Sequence, residues 1–185
     1  MAQMLIGIVL FFAVHLLPLF TSLRQRLIDR WGRWPYLGVY SLISLAGLVL
    51  MVRGYRAIEP DILWGPFGFG RLLAHGVMPL ALVLVVAAYL PTFTKHKLRH
   101  PMLIGVALWS GGHLLANGDL ASTWLFAPFL VYALLDIAFS RPRRTLIPVM
   151  QPKVLFDVLA VIVGLLLYSV LIVSHGQLFG VALLA

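Results

Sequence analysis

The chain has 185 residues, of which 62% are hydrophobic and only 11% are charged, and its mean hydropathy is +1.00. Soluble domains carry about 25% charged residues, so this composition excludes a water-soluble enzyme and a soluble nucleic-acid-binding module and predicts a membrane protein. The absence of Cys excludes disulfides, thiolate metal ligands and Cys nucleophiles. A metal or cofactor site would therefore use His, carboxylate or Met side chains.

Six apolar segments follow one another along the chain. An α-helix rises about 1.5 Å per residue, so about 20 residues cross the hydrocarbon core of a bilayer. The loops between the segments are short and polar, and none is long enough to mark a second domain. The sequence therefore predicts one all-α domain over residues 1–185. This domain is a polytopic bundle of six transmembrane helices at 4–22, 36–52, 72–91, 101–116, 120–139 and 154–174.

Most of the cationic residues lie in loops on one side of the predicted membrane topology. Of the 14 Lys and Arg residues, only Arg53, Arg56 and Arg71 lie in loops on the other side. Such a bias marks cytoplasmic loops, so both termini are predicted to be periplasmic. Cations divided among three loops form no nucleic-acid-binding surface, and the predicted partner of the +8 net charge is the lipid bilayer. The cytoplasmic cations are Arg24, Arg26, Arg30, Arg33, Lys95, Lys97, Arg99, Arg141, Arg143, Arg144 and Lys153.

Two carboxylates at span ends have structural interpretations. Asp119, followed three residues later by Ser122, is typical of a helix N-cap. Asn117 and Gly118 just before it are expected to take left-handed conformations in a tight turn. Asp157 lies in the first turn of span six, where the helix dipole stabilises a negative charge. Neither carboxylate requires a catalytic role.

A polar cluster is predicted at the cytoplasmic side. Asp136 lies in the last turns of span five, near Arg141 and Arg143, and Arg99 and His100 precede span four. A three-residue turn joins these spans, so they pack antiparallel and their cytoplasmic ends are neighbours. A carboxylate so close to hydrocarbon is costly unless it is paired. We therefore expect Arg99, His100 and Asp136 to form a structural cluster, with cofactor contact as the alternative.

Three histidines lie within the predicted lipid depth, where polar side chains are costly and usually functional. They are His15 in span one, His75 in span three and His113 in span four, while His175 lies at the outer end of span six. In a bundle without Cys, two facing imidazoles are the arrangement that holds haem b. His113 lies about 7 Å and His75 about 10 Å outside the bilayer centre, and His15 about 3 Å inside. Depth favours His75 with His113, and helix tilt leaves His15 with His113 open.

Span four also carries a stripe of residues that suits a flat neighbour such as haem. One helix face combines the candidate ligand with an aromatic wall and small residues. The stripe consists of Gly105, Trp109, Gly112, His113 and Ala116. Ordinary packing of membrane helices uses small residues in the same way, so both interpretations stay open. An axial His donates the proton of its second nitrogen to a nearby group, and Ser110 and Asn117 are candidates for that role.

The central segment resembles the signature of the NnrU family. The matching stretches are RHPMLIG at 99–105, LW at 108–109, HLLANGDLAS at 113–122 and LF at 125–126. Further similarities are His15, YSLISL at 40–45 and Asp136, so the resemblance covers nearly the whole chain. The family consists of bacterial membrane proteins named for an association with nitrite and nitric oxide reductase expression in denitrification. It is similar to the plant 15-cis-zeta-carotene isomerases, which are haem b membrane enzymes.

The resemblance implies haem b, a bacterial inner membrane and a role in nitrogen-oxide metabolism or as an isomerase of a lipid-soluble substrate. His113 and His15 match the histidines that the isomerase branch would use. Ser110 stands where a thiol could occur in that branch, so ligand exchange through sulfur is not expected. A non-enzymatic membrane partner that supports assembly of respiratory reductases is a second interpretation, and whether the protein is an enzyme stays open.

The Arg-His-Pro motif is also similar to one in membrane methyltransferases related to isoprenylcysteine carboxyl methyltransferase, and in sterol reductases. In those enzymes it contributes to a cytoplasm-facing pocket for S-adenosylmethionine or a nicotinamide cofactor. They also need a later Glu and a Tyr-rich element, whereas this chain has no Glu after residue 140 and only Tyr168 there. A membrane methyltransferase is therefore the third interpretation.

Overall fold

The computed structural model describes residues 1–66, 68–139 and 151–183, which form eight α-helices. Among these residues the extended pairing is limited to an isolated bridge between Ile62 and Asp119, so the predicted all-α class is confirmed for this part of the chain. The chain divides into two compact units, Met1–Pro60 and Asp61–Ala185. The single domain over 1–185 stays a prediction.

The N-terminal unit begins with an apolar helix and ends with another. Its helices are α1 (Ala2–Leu16), α2 (Thr21–Trp31) and α3 (Arg33–Arg56), with a 3-10 turn at Leu17–Leu19 after α1. The first apolar helix ends earlier than the predicted span at 4–22, because Pro18 in the 3-10 turn lacks the N–H that would continue the α-helix. The arginine-rich segment that follows was expected to be a loop and is helical instead.

Glycines bring α1 and α3 into close contact. A Cβ on Gly7 would lie 2.6 Å from the Gly47 carbonyl oxygen and 2.6 Å from the Met51 nitrogen. A Cβ on Gly54 would lie 2.8 Å from the Cα of Met4. Small residues that admit a neighbouring backbone are the usual contacts between membrane helices. Gly47 of α3 is therefore used for helix packing.

The C-terminal unit is an antiparallel helix bundle. Its helices are α4 (Gly70–Tyr89), α5 (Phe93–Lys97), α6 (Pro101–Ala116), α7 (Leu120–Phe139) and α8 (Val154–Phe179). Helix α4 packs against both α6 and α8, and α7 packs against α6. A Cβ on Gly105 of α6 would lie 2.7 Å from the Ala81 carbonyl oxygen, and one on Gly164 of α8 would lie 2.7 Å from the Cα of Val83. Close backbone approach therefore holds α4 between these two helices.

Within the described part of the chain, five helices have the length and composition of membrane spans, namely α1 with its 3-10 extension, α3, α4, α7 and α8. Helix α6 is apolar and has the predicted bounds, but its 16 residues rise only about 24 Å. The count of six crossing helices is therefore not confirmed. In α8 the buried residues are Ala160 and Gly164, while Leu166 and Val173 are 60% and 71% exposed. An apolar helix with so little of its surface covered suits a lipid environment.

The antiparallel arrangement sorts polar side chains to the two ends of the C-terminal unit. The start of α4, the end of α6 and the end of α8 meet at one end, which we call the histidine end and define by His75, His113 and His175. The opposite end, which we call the basic end, is defined by Lys97, Arg99 and Lys153. The predicted cytoplasmic residues Arg141, Arg143 and Arg144 lie outside the described residues.

The α6–α7 turn at 117–119 confirms one prediction and corrects another. The carboxylate of Asp119 accepts hydrogen bonds from the Ser122 N–H at 2.7 Å and from its hydroxyl at 2.6 Å, which confirms the N-cap. The left-handed turn was wrong, since Asn117 is extended with φ −126° and Gly118 has no positive φ. Gly118 instead permits close approach, because a Cβ there would collide with the carbonyl oxygen of Trp64.

Candidate functional site

His113 occupies the last turn of α6 with one ring nitrogen committed to the backbone. Its Nδ1 lies 2.8 Å from the carbonyl oxygen of Trp109. A carbonyl can only accept, so Nδ1 carries the hydrogen and the neutral ring keeps a lone pair on Nε2. This is the arrangement by which proteins orient a histidine that binds a metal through Nε2. The Trp109 carbonyl thus accepts the proton of the second ring nitrogen, as we expected of a neighbour of an axial ligand.

The predicted partners of that nitrogen form other hydrogen bonds. The hydroxyl of Ser110 is fully buried and donates to the Val106 carbonyl at 2.7 Å. The side-chain amide of Asn117 donates to the backbone carbonyl of His113 at 2.8 Å. This bond fixes the end of α6 and involves the backbone of His113, not its imidazole ring. Gly112 packs against α4, because a Cβ added at this position would lie 2.7 Å from the Cε of Met78. Contact of Ser110, Asn117 or Gly112 with a cofactor stays a prediction.

An aromatic cluster surrounds the His113 ring. We define it as Trp109, His113, Phe126, Phe129, His175 and Phe179. The Phe126 ring stacks on His113 with centroids 4.3 Å apart and planes 23° apart. Trp109 lies 5.3 Å from His113 and packs edge to face on Phe126 and Phe129. Trp109 is therefore an aromatic wall beside the histidine, as the spacing in span four predicted.

His175 also belongs to this cluster, although its sequence position did not mark it as a ligand. Its ring centroid lies 6.5 Å from that of His113, and the two ring planes differ by 17°. Its Nδ1 lies 2.7 Å from the Val181 carbonyl, which again leaves Nε2 with the lone pair. The predicted span ended at Ser174, whereas α8 continues to Phe179 and is closed by Gly180 with φ 82°. The glycine C-cap signal at Gly180 is what could have placed His175 inside the helix.

His75, predicted to face His113, has a partner on α8. Its Nδ1 lies 3.2 Å from the hydroxyl oxygen of Tyr168. This hydrogen bond joins α4 to α8 about two turns inside the histidine end. The geometry fixes the His75 ring towards α8, and its pairing with His113 across an iron stays a prediction.

His15 belongs to the N-terminal unit and has the same backbone arrangement as His113. Its Nδ1 lies 2.8 Å from the Phe11 carbonyl, so the lone pair of the neutral ring is again on Nε2. The ring stacks on Phe11 with centroids 3.9 Å apart and lies 5.2 Å from the ring of Tyr40. His15 therefore has the protonation pattern of a metal ligand, and its role as one stays a prediction.

The predicted polar cluster falls at the basic end of the C-terminal unit. Arg99 and His100 immediately precede α6, and Asp136 lies one turn before the end of α7. Because α6 and α7 are joined by a short turn and run antiparallel, these three residues share one end of the helix pair. Asp136 is only 7% exposed. The pairing of Asp136 with Arg99 or His100 stays a prediction, and Arg141 and Arg143 lie outside the described residues.

Asp157 has a role that its position in the sequence only partly indicated. It lies in the first turn of α8, as expected, but its carboxylate caps the short helix α5 instead of its own. The Phe93 and Thr94 N–H groups donate to it at 2.8 and 3.0 Å, and the Thr94 hydroxyl donates at 2.8 Å. A carboxylate that receives three such bonds is a structural clamp, so Asp157 is not a candidate for proton transfer.

These donor sets limit the kinds of metal site that the chain can form. Among the described residues there is no group of three or more His, Asp or Glu side chains that could hold a bare metal ion. Haem iron needs only one or two protein ligands, because the porphyrin supplies the other four. Imidazoles whose Nδ1–H is held by a backbone carbonyl in aromatic surroundings, as in His113, fit that requirement.

Comparison with known proteins identifies the family. No curated protein and no solved structure matches the chain. A family model described as NnrU protein matches residues 3–183, nearly the full length, and agrees with the resemblance seen in the central motif. The chain therefore belongs to the NnrU family.

Proposed function

We propose that this NnrU protein binds haem b through His113 and acts as a haem-dependent membrane protein in nitrite and nitric oxide metabolism or as an isomerase of a lipid-soluble substrate. The observation that carries the proposal is the His113 ring itself, with Nδ1 held by the Trp109 carbonyl and Nε2 left as an acceptor. Haem would supply a redox-active iron inside an apolar bundle. The residues of the chain would orient the imidazole and exclude water from it.

The surroundings of His113 support this assignment. Phe126 stacks on the ring and Trp109 borders it, so the imidazole has little freedom to turn away from one orientation. Arg71 is exposed in the first turn of α4, at the histidine end of the same unit. A cation there is suited to pair with a haem propionate at the membrane face. His15 and His75 are the ligands that the sequence proposes for the opposite side of the iron.

The proposal includes a location and an orientation. The protein would cross the bacterial inner membrane with six helices, the short α6 among them, and the cations of the basic end would face the cytoplasm. The histidine end, and with it the haem, would then lie in the periplasmic half of the membrane. A lipid-soluble substrate could reach that depth from the bilayer, and a dissolved nitrogen oxide could reach it from either phase.

A non-enzymatic role is the second candidate. The large exposed apolar surface of α8 that lies against lipid would serve equally for contact with a membrane reductase. In that case the protein would support assembly of respiratory reductases and need no exchangeable haem ligand. A methyltransferase using S-adenosylmethionine is a third candidate, and it rests on Arg99 and His100 at the basic end.

The absorption spectrum of the full-length protein, purified after expression with a haem precursor, tests the proposal. We expect a Soret band from stoichiometric haem in the wild type, strongly reduced in a His113→Ala variant. His96→Ala is the matched control, because His96 is exposed in α5 at the opposite end and should leave the spectrum unchanged. A wild-type protein that folds and shows no Soret band would refute haem binding and favour the assembly role.

A further inference from the structure

The helix α2 of the N-terminal unit is amphipathic. Apolar side chains recur at the spacing of one helical face, and polar side chains lie on the other. The apolar face consists of Phe20, immediately before the helix, and of Leu23, Leu27, Ile28 and Trp31. On the polar face, Gln25 Nε2 donates to the Asp29 carboxylate at 2.8 Å. Arg26 Nε donates to the backbone carbonyl of Ser22 at 3.4 Å. Both bonds stay within α2.

The protein itself covers little of the apolar face. None of the residues of α2, all of which the structure describes, is buried. Phe20 is 62% exposed, Trp31 is 47% exposed, and Leu23 is exposed as well. Contact of such a face with water is unfavourable, so an apolar phase or partner is expected to cover it.

The position of α2 in the chain identifies the membrane surface as that partner. Gly7 of α1 packs against Gly47 of α3, and Met4 packs against Gly54, so the two helices run antiparallel. Both have the length and composition of membrane spans. The end of α1 and the start of α3 therefore lie at the same membrane face, and α2 connects them there. Its 11 residues rise only about 16 Å, too little to cross the hydrocarbon core.

Contacts at the start of α3 fix how α2 leaves that helix. The Arg24 guanidinium lies 5.9 Å from the ring centroid of Tyr36, which is buried in the first turn of α3. Gly32 ends α2 with φ 84°, a conformation that favours glycine and lets the chain turn into α3. Trp34, just after this turn, is 79% exposed, and exposed Trp residues are typical of the membrane interface.

The charges of α2 are complementary to anionic headgroups. Arg26 and Arg30 are exposed, lie one turn apart and border the apolar face. The helix contains one acid, Asp29, on the opposite side. Arginine beside exposed Trp, Phe and Leu is the composition of interfacial helices that bind anionic membranes. A guanidinium also matches the geometry of a phosphate oxygen pair.

We propose that α2 lies in the plane of the membrane interface and that Arg26 and Arg30 bind the headgroup phosphate of an anionic phospholipid. The apolar face would then enter the boundary of the hydrocarbon core, and the polar face with Gln25 and Asp29 would face water. This lipid-binding site belongs to the N-terminal unit alone, and it is independent of haem binding by His113.

Nitroxide labels on single cysteines of the otherwise cysteine-free, full-length protein test the location of α2. Leu23→Cys labels the apolar face and Gln25→Cys the polar face. In vesicles of phosphatidylcholine and phosphatidylglycerol, we expect the label at 23 to collide mainly with oxygen, which dissolves in hydrocarbon. The label at 25 should collide mainly with a water-soluble nickel chelate. Equal access of both labels to the chelate would place α2 in water and overturn the proposal.

A fluorophore on Gln25→Cys tests the lipid preference, because a nitroxide lipid quenches it only when bound nearby. We expect stronger quenching by nitroxide phosphatidylglycerol than by nitroxide phosphatidylcholine. Arg26→Gln/Arg30→Gln should weaken this preference at least about fivefold, the contribution of one basic residue near an anionic surface. The matched control Arg53→Gln/Arg56→Gln removes the same charge from the opposite end of α3 and should keep the preference.

Three outcomes of the quenching experiment would overturn the proposal. The first is equal quenching by the two lipids in the wild type. The second is an equal loss of preference in the two double variants, which would show that only the total charge matters. The third is loss of the preference on adding soluble glycerol phosphate, which would identify a site for free phosphate esters instead of a membrane lipid.

Discussion

Asp157 binds Thr94 through two hydrogen bonds, one from the Thr94 N–H at 3.0 Å and one from its hydroxyl at 2.8 Å. These bonds connect the first turn of α8 to the first turn of α5, across 63 positions of the sequence. The Phe93 N–H adds a third bond to the same carboxylate. Helix α5 has only five residues and would be marginal alone, so this clamp helps to define the basic end of the bundle.

An Asp157→Ala substitution should therefore destabilise the protein by about 1–2 kcal/mol, the usual cost of losing a helix-capping carboxylate. Thermal unfolding of the purified protein in detergent measures the loss. Asp29→Ala is the matched control, because the exposed Asp29 carboxylate accepts one bond from Gln25 within α2 and should contribute less than about 0.5 kcal/mol. Equal effects of the two substitutions would show that the clamp contributes little.

Two glycines of α6, Gly105 and Gly111, should respond in opposite ways to alanine. At Gly105 the new Cβ would lie 2.7 Å from the Ala81 carbonyl oxygen, which is backbone and cannot move aside, so Gly105→Ala should cost about 1–3 kcal/mol. At Gly111 nothing lies within 4 Å, so Gly111→Ala should be neutral or stabilise by up to about 1 kcal/mol through helix propensity. Thermal unfolding of both variants checks this, and a stable Gly105→Ala protein would contradict the close α4–α6 packing.

Asp136→Asn should lower the stability by about 1–3 kcal/mol and leave any haem spectrum unchanged. The carboxylate is only 7% exposed and lies at the basic end, away from the aromatic cluster around His113. Unfolding temperature and Soret absorption measured on the same sample separate the two effects. Saturable S-adenosylmethionine binding that disappears in a His100→Ala variant would instead favour the methyltransferase interpretation.

The absence of native Cys allows a clean test of topology with single-cysteine variants. We expect Gln3→Cys and Gln177→Cys, both exposed near helix ends on the predicted periplasmic side, to react with a membrane-impermeant maleimide in intact cells. Lys97→Cys at the basic end should react only after the cells are permeabilised. If Gln3→Cys and Gln177→Cys were protected in intact cells and Lys97→Cys were labelled, the protein would have the opposite orientation in the membrane.

The positions of the main helices follow from local properties that the sequence displays directly. Apolar segments of sufficient length form helices whatever their neighbours, because only a helix satisfies its own backbone hydrogen bonds in lipid. The bounds of α6 and α7 and the capping of α7 by Asp119 were predicted correctly for this reason. Family membership was equally readable, since the central motif is contiguous.

Other features depended on contacts between distant residues. Gly118 was expected to supply a left-handed turn, but its role is set by the carbonyl of Trp64, 54 positions earlier. Asp157 was placed correctly at the start of its helix, yet the groups that it binds belong to α5. Neither local spacing nor propensity reveals which segment will approach a given side chain.

The histidines show the same division between local and tertiary information. The sequence predicted that His75, His113 and His175 lie towards the same end of the helix bundle, because position along a helix follows from counting residues. Only the tertiary structure decided that His175, and not a residue chosen by depth, lies beside His113 in the aromatic cluster. The rotation of each helix about its axis is set by packing at residues such as Gly105 and Gly164 against α4, and that rotation decides which side chains meet.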